Sequence, residues 1–404
     1  MQNYNPDKKK ELSTLVEERH YGMLSLACYG ILNLFWNIGK KINDEELHYQ
    51  EGKQLIERIS NEFVVYYGTL FSLENISRMK LFADNFPDVA IVEVFSSFLS
   101  WEHIQLLFDL EDYESRCLLM EVAIREGLNV NELKQRLNSM DLNGKKFKGF
   151  KRGFSKWKSD MLHHGFIQKK QGKLLFPNLF KPDSSNGYYL LMTSDPVNKV
   201  EELGVISDII KIIEEFKANQ TRFLNGYLNI AFYEIGEFIN YRLKEGNHKK
   251  SELFNLSSDF AKEYGKSFIE GQINFFSVFA KSFEKELAGK LAYIVTWEHL
   301  LVILELETDE SKLFFIKATA RERLSVDGLR EKIRNYVDAG VKFNSDNLTD
   351  MTDIFKIIFQ EQKTLKSRGN IVEGTTQYIK YSEDVLITNL LPNIFQNKYF
   401  PLIQ

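Results

Sequence analysis

An internal duplication constrains this chain more than any other feature, because it runs through most of the 404 residues. The segment Trp36–Gly39 recurs as Tyr233–Gly236 with an offset of 197 residues. Trp101–His103 then recurs as Trp297–His299 with an offset of 196 residues. Two copies that keep register this closely indicate one structural unit built twice, so the fold must be one that a half-length chain can form.

The apolar pattern within each copy predicts helices. Apolar residues recur three and four positions apart through Ile31–Ile38, Leu55–Tyr66 and Ile76–Ala83, which is typical of amphipathic helices. The chain has only 7 Pro, so long stretches are free to be helical. We therefore predict a mainly α protein with two homologous helical bundles in tandem, each of about six helices.

One segment departs from the helical pattern. Phe166–Lys170 and Lys173–Phe176 are short, and Gln171-Gly172 lies between them as a turn signal. This arrangement predicts a small β-hairpin. Because a helix is expected just before it, the pair resembles the wing of a winged-helix domain.

Composition shifts predict four regions along the chain. Residues 1–20 read as a polar N-terminal arm, and residues 21–180 as the first helical copy. Residues 181–217 are rich in Pro, Ser, Asn and Gly at their start and read as a linker with a connecting helix. Residues 218–404 form the second copy.

The compartment follows from cysteine usage and from the chain start. Cys28 and Cys117 are the only two cysteines, too few for a disulfide-stapled secreted protein. Met1–Glu11 is polar and has no apolar signal core. Tyr21–Gly39 has no charged residue, but its Asn residues and the charges in the matching part of copy 2 favour a buried helix over a membrane span. We expect a cytoplasmic protein without membrane association.

Four motifs in a fixed order resemble a known family. They are Trp/Tyr-x-Ile-Gly, Ser-x-x-Phe-x-x-x-Tyr-Gly, Phe-Ala and Ser/Thr-Trp-Glu-His, and each occurs in both copies. This series is similar to the N-terminal domain of YhcG-type bacterial proteins, which usually precedes a PD-(D/E)XK nuclease domain. The resemblance covers roughly Tyr21–Phe180 and Ala218–Phe400, and we find no nuclease domain after the second copy. It implies a helical module that handles DNA in mobile-element or defence biology.

The most distinctive chemical signal is a basic segment between Lys145 and Lys173. It holds ten basic residues and one acidic residue, although the whole chain has a net charge of −4. Five aromatic residues are interleaved with the cations, a pattern typical of nucleic-acid binding. The alternative is a solvated basic face whose Phe residues dock on the bundle. The candidate phosphate-binding residues are Lys145, Lys146, Lys148, Lys151, Arg152, Lys156, Lys158, Lys169, Lys170 and Lys173.

A helix-turn-helix interpretation is available in copy 1. Leu55–Tyr67 would be the supporting helix and Leu73–Asn85 the recognition helix, with Ser72 as its N-cap and Gly68 at positive φ. Asn75, Arg78 and Lys80 are then the candidate DNA-reading residues. The alternative is two core helices joined by a loop.

Catalytic patterns are weak. Glu and His are adjacent in Trp101–His103, and adjacent residues on a helix point in different directions, so they do not form an acid–base pair. We expect the Trp to be in the core, and the Glu and His to cap or pair locally at the start of the helix. Asp208 with Glu215-x-Lys217 has the residue types of the PD-(D/E)XK nuclease motif. In that motif the Glu-x-Lys pair lies on a β-strand, whereas the apolar pattern of Ile206–Phe216 is helical and argues against a nuclease site here. We predict no metal site, no cofactor and no enzymatic activity.

The leading hypothesis is a non-catalytic DNA-binding accessory or regulatory protein of a bacterial mobile-element or defence system. A protein–protein adaptor that recruits a nuclease or recombinase is the alternative, and an unrecognised nuclease is a third. The DNA hypothesis requires the basic segment on one exposed face, whereas the adaptor hypothesis requires an exposed apolar patch.

Overall fold

The computed structural model describes residues 6–49, 52–96, 98–110, 112–139, 191–192, 194, 204–242, 256–262 and 268–339. In these residues the regular structure is α-helical, with one 3-10 turn and no strand. The prediction of a mainly helical protein is therefore confirmed. The predicted hairpin at residues 166–176 lies outside the described residues.

In the described residues, the first copy contains seven helices and the 3-10 turn. They are α1 (Pro6–Tyr49), α2 (Gly52–Tyr67), the 3-10 turn Gly68–Phe71, α3 (Leu73–Asn85), α4 (Val89–Ser96), α5 (Trp101–Leu106), α6 (Tyr113–Glu126) and α7 (Val130–Ser139).

The second copy repeats this order. Its helices are α8 (Val205–Arg242), α9 (Glu270–Ser282), α10 (Lys285–Leu291), α11 (Trp297–Leu304), α12 (Asp309–Glu322) and α13 (Val326–Asp338). Residues 256–262 are also helical, at the positions that match α2. From α3 onward the matching helices begin at the offsets found in the sequence, 197 residues for α9 and 196 residues for α10 to α13, so the duplication is one of structure as well.

Aromatic packing explains why the tryptophan motifs occur twice. Trp101 is buried with its ring centroid 4.9 Å from that of Phe35. Trp297 is buried in the same way, 4.7 Å from Phe232. Each pair joins the short helix α5 or α11 to the long helix of its core, and aromatic pairs at this spacing contribute beyond the area that they bury.

The glycine that ends each Trp/Tyr-x-Ile-Gly motif marks a close crossing of two helices. A Cβ atom added to Gly39 would lie 1.9 Å from Met79 O. A Cβ atom added to Gly236 would likewise lie 1.9 Å from Phe276 O. Because any side chain would collide with backbone, glycine allows α1 to approach α3 and α8 to approach α9.

The chain forms two compact units, and each takes in residues from both copies. The copy-1 unit lies within residues 24–220, and the copy-2 unit lies within residues 1–23 and 221–367. Residues 6–20, which the sequence suggests as a polar arm, are helical and contribute Leu12, Leu15 and Val16 to the copy-2 core. The prediction of an arm rests on Lys8–Lys10 and overlooks this apolar stripe. Residues 205–217, predicted as a connecting helix, are helical and lie in the copy-1 unit.

Candidate nucleic-acid interface

The turn between α2 and α3 has the local geometry that the sequence predicts. Gly68 has a φ of 76°, in the left-handed region that favours glycine. The Ser72 side chain accepts a hydrogen bond from the Asn75 backbone N–H at 3.3 Å and so caps the start of α3. Both predicted roles are confirmed, because each depends only on local backbone chemistry.

The three predicted DNA-reading residues of α3 have protein partners. Asn75 Nδ2 donates to Thr69 O at 3.1 Å and so closes the turn. Arg78 pairs with Glu74 of the same helix at 2.6 Å. Lys80 pairs with Glu46 of α1 at 2.9 Å. These side chains therefore have separate local roles in this structure, and a DNA contact would have to replace those partners.

The matching helix of copy 2 has different chemistry at these positions. Gln272, which stands where copy 1 has Asn75, accepts a hydrogen bond from Trp297 Nε1 at 3.0 Å. Phe275, which replaces Arg78, packs against the core. The second copy thus uses the same positions for packing, so the two copies do not present one base-reading pattern.

An exposed apolar group lies at the end of α2 and the start of α3, which we call the α2–α3 corner (Val64, Val65, Tyr66 and Leu73). Val65 is 79% exposed, and the other three are 37% to 44% exposed. Copy 2 has Ala261, Lys262, Glu263 and Glu270 at the matching positions. Sequence reasoning missed this surface, although two β-branched residues and a Tyr at the end of an amphipathic helix are an available signal.

The Ser-Trp-Glu-His motif is a structural cap. The Ser100 backbone N–H donates to His103 Nδ1 at 3.2 Å, so Nε2 carries the proton and donates to Leu128 O at 3.0 Å. Burial lowers the pKa of His103 below its ordinary value. In copy 2, Thr296 Oγ1 and Leu324 O flank His299 at 2.7 and 3.0 Å. The expected local role is confirmed, and each His ties the start of its helix to the chain after the next helix.

The residues that match a nuclease trace lie on a helix. Asp208, Glu215 and Lys217 all belong to α8, so the strand that this chemistry requires is absent there. Asp208 bonds to Lys41 at 3.0 Å and to Lys211 at 3.2 Å. Although burial opposes ionisation, these hydrogen bonds hold the pKa of Asp208 below its ordinary value. An ion-pair network between α1 and α8 accounts for this carboxylate.

The basic segment itself lies outside the described residues, but residues on both sides of it are described. Before it, α7 ends at Ser139. After it, Leu191 is fully buried in the core of the copy-1 unit. Lys217 Nζ donates to Ser194 O at 2.7 Å and to Ser194 Oγ at 3.0 Å. Both flanks therefore belong to the copy-1 unit.

Metal-binding clusters and membrane-spanning helices are both absent from the described part of the chain. No group of three His, Cys, Asp or Glu among the described residues is placed to hold a metal ion. No described helix is long and apolar enough to cross a membrane.

Comparison with known families gives one finding for the chain. The family model of the DUF1016 N-terminal domain matches residues 11–143 and, a second time, residues 208–339. The two matches cover more than half of the sequence, so the chain belongs to the DUF1016 N-terminal domain family and carries the domain in tandem. No curated protein and no solved structure matches it.

Proposed function

We propose that this tandem protein is a non-catalytic DNA-binding accessory or regulatory factor of a bacterial mobile-element or defence system. The observation that carries the proposal is the composition of residues 145–173, with ten basic residues and one acidic residue. Cations at this density neutralise backbone phosphates and release counterions, and the interleaved aromatic residues can stack or anchor.

The flanks of the basic segment support this role. Helix α7 ends before the segment at Ser139, and Leu191 beyond it is buried in the core of the same copy-1 unit. Residues that connect two anchored points of one unit lose less conformational entropy when they bind than a free tail does. The hairpin predicted at residues 166–176 would act as the wing of this surface.

The proposed DNA contact is asymmetric between the copies. Residues 341–369 of copy 2 match the basic segment by offset, yet they contain five basic and four acidic residues. Their net charge is therefore +1, against +9 for residues 145–173. We infer that copy 1 holds the phosphate backbone and that copy 2 has another task.

The test is a salt titration of DNA binding. Charge reversal of Lys151, Arg152, Lys156 and Lys158 to Glu should weaken binding to all duplexes alike, because phosphate contacts carry no sequence information. The slope of log K against log salt should also flatten by about one unit for each phosphate that the protein no longer neutralises. Fluorescence anisotropy on the parent and on the variant measures both effects.

The matched control is charge reversal at four bases of the equivalent segment, Lys342, Lys356, Lys363 and Lys366. It changes the net charge of the chain by the same amount and should leave most of the affinity and the salt slope intact. If both variants weaken binding equally, only overall charge matters. If neither variant changes binding, the basic segment is a solvated surface and the DNA proposal fails.

The same preparation tests the absence of catalysis. We expect supercoiled plasmid to remain intact when it is incubated with the purified chain and Mg²⁺ or Mn²⁺. Metal-dependent cleavage that a single acidic substitution abolishes would contradict a non-catalytic role.

A second candidate function is an adaptor that recruits a nuclease or recombinase, and the exposed α2–α3 corner favours it. Exposed apolar groups of this kind are typical of protein-binding surfaces. The double variant Val65→Lys/Tyr66→Glu gives the corner the residues of copy 2. It should abolish co-purification of a nuclease or recombinase encoded beside this gene, while the four-residue charge reversal of the basic segment should not.

A further inference from the structure

The two long helices each contribute to both compact units. Helix α1 is continuous from Pro6 to Tyr49, yet residues up to 23 belong to the copy-2 unit and residues from 24 to the copy-1 unit. Helix α8 is also continuous, yet its residues up to 220 belong to the copy-1 unit and its residues from 221 belong to the copy-2 unit. We call residues 6–23 the first exchanged segment and residues 205–220 the second exchanged segment.

The first exchanged segment is part of the copy-2 core. Leu12 is 1% exposed, and Leu15 and Val16 are also buried in the cluster built on α8 and α9. Arg19 Nε lies 2.6 Å from Glu234 Oε2, and both side chains are largely buried. Lys9 adds an exposed ion pair with Asp259 at 2.6 Å. Apolar burial and a charge pair therefore hold the same helix face.

The second exchanged segment is part of the copy-1 core in the same way. Ile209 and Ile213 are fully buried there, and Phe216 lies beside them in that cluster. Gln220 Nε2 donates to Leu26 O at 3.2 Å, and the Tyr67 hydroxyl donates to Glu214 at 3.0 Å. Polar contacts thus fix the register of this helix as well.

The two exchanged segments are equivalent parts of the duplicated domain. The family matches begin at residues 11 and 208, a separation of 197 residues, so both segments fall at the start of a domain. Each domain therefore contributes its first helical segment to the core built mainly by the other. Such reciprocal exchange of an identical element is domain swapping, here within one chain.

The residues that face each exchanged segment differ, so the segments are not interchangeable. Arg19 of the first segment corresponds by offset to Phe216 of the second. Its partner Glu234 corresponds to Asn37 of α1. Placing Phe216 at the copy-2 site would leave Glu234 buried without its cation, which is strongly unfavourable. The buried pair therefore selects which segment enters which unit.

We infer that the two copies form a segment-exchanged pair, in which each core is completed by a helix of the other copy. The binding surface for the first exchanged segment is an apolar groove of the copy-2 unit that contains Glu234. The helix that this groove binds carries an apolar stripe and an Arg one turn beyond the stripe. The covalent connection between the copies is then dispensable for holding them together.

The test cuts the connection in the full-length protein. A protease recognition site is placed between residues 195 and 203, and an affinity tag is added to one end of the chain. After purification, the protease cuts the covalent connection between the two copies. We expect both fragments to co-purify and to elute as the uncut chain does. Separation of the cut fragments into two folded species would overturn the inference.

A variant pair then locates the contact. Leu12→Ala/Val16→Ala should raise the dissociation constant of the cut fragments by about a hundredfold or more, because it removes buried side chains. The control Thr14→Ala changes an exposed residue of the same segment and should leave the constant unchanged. If the two variants have the same dissociation constant, the first exchanged segment does not hold the copies together. The uncut chain provides a folding check by circular dichroism.

Discussion

The copy-1 and copy-2 units fill equivalent buried positions with opposite chemistry. In the copy-2 unit, Arg19 pairs with Glu234 and lies over the Tyr227 ring, with its guanidinium carbon 5.9 Å from the centroid. In the copy-1 unit, Phe216 occupies the position that Arg19 has in the copy-2 unit. Gly30 occupies the position that Tyr227 has in the copy-2 unit. One backbone arrangement therefore accepts either an ion pair or an apolar contact.

The glycines explain how both solutions fit. A Cβ atom on Gly30 would lie 2.0 Å from Gln220 Oε1, so glycine makes room for the second exchanged segment. A Cβ atom on Gly22 would lie 1.8 Å from the Tyr227 hydroxyl, so in the copy-2 unit the glycine is on the exchanged segment instead. Duplicated cores can thus diverge by moving a small residue from one partner to the other.

The largest expected effect tests the ion pair of the copy-2 unit. Arg19→Ala should lower the free energy of unfolding by about 3–5 kcal/mol, because it leaves the buried Glu234 without a partner. The double variant Arg19→Met/Glu234→Leu should recover most of this loss, since an apolar pair removes the desolvation cost. Urea unfolding measures both, and a double variant no more stable than Arg19→Ala would contradict the comparison.

A feature that the two units share should respond equally in both. Gly39→Ala and Gly236→Ala should each cost about 1–3 kcal/mol, because the new Cβ collides with backbone in either unit. Gly271→Ala is the control, because nothing lies within 4 Å of its Cβ position on α9. It should be neutral or slightly stabilising. A loss at only one of the two crossing glycines would break the structural equivalence.

A smaller effect, confined to acidic solution, concerns His103. Burial lowers its pKa in the folded state, so the unfolded chain binds the proton more readily. The stability that its neutral form contributes is fully present above the unfolded pKa of about 6.5 and is lost as the pH falls towards the folded pKa. Unfolding curves between pH 5 and pH 7.5 should show this loss in the parent. The loss should be smaller in the His103→Asn variant than in the parent.

The smallest expected effect concerns the ends of α6 and α12. Gly127 ends α6 with a φ of 63°, whereas Arg323 ends α12 with a φ of 52°. Because a non-glycine residue is strained in that region, Arg323→Gly should stabilise the chain by up to about 1 kcal/mol. Gly127→Ala should destabilise it by a similar amount. Thermal unfolding of both variants checks the opposite signs, and a loss of stability in Arg323→Gly would indicate that the Arg side chain outweighs the strain.

Local features of the site were predictable from the sequence because they depend on nearby residues. Ser72 and Gly68 have the roles expected of them, since capping and positive φ follow from residue type within one turn. The partner of Lys80 was not predictable in the same way. Lys80 contacts Glu46, which lies on another helix and far away in sequence. A residue type indicates what a side chain can bind, but only the packing decides which partner is within reach.

The sequence by itself determined the duplication, the helical architecture and the strongly basic character of residues 145–173. Periodicity and composition are local properties, so they survive without coordinates. Only the tertiary structure decided where Leu12, Leu15 and Val16 are buried. An apolar stripe requires some apolar partner, but its free energy of burial is the same for any groove of suitable shape. The exchange of segments between the copies was therefore decided by long-range fit, including the pairing of Arg19 with Glu234.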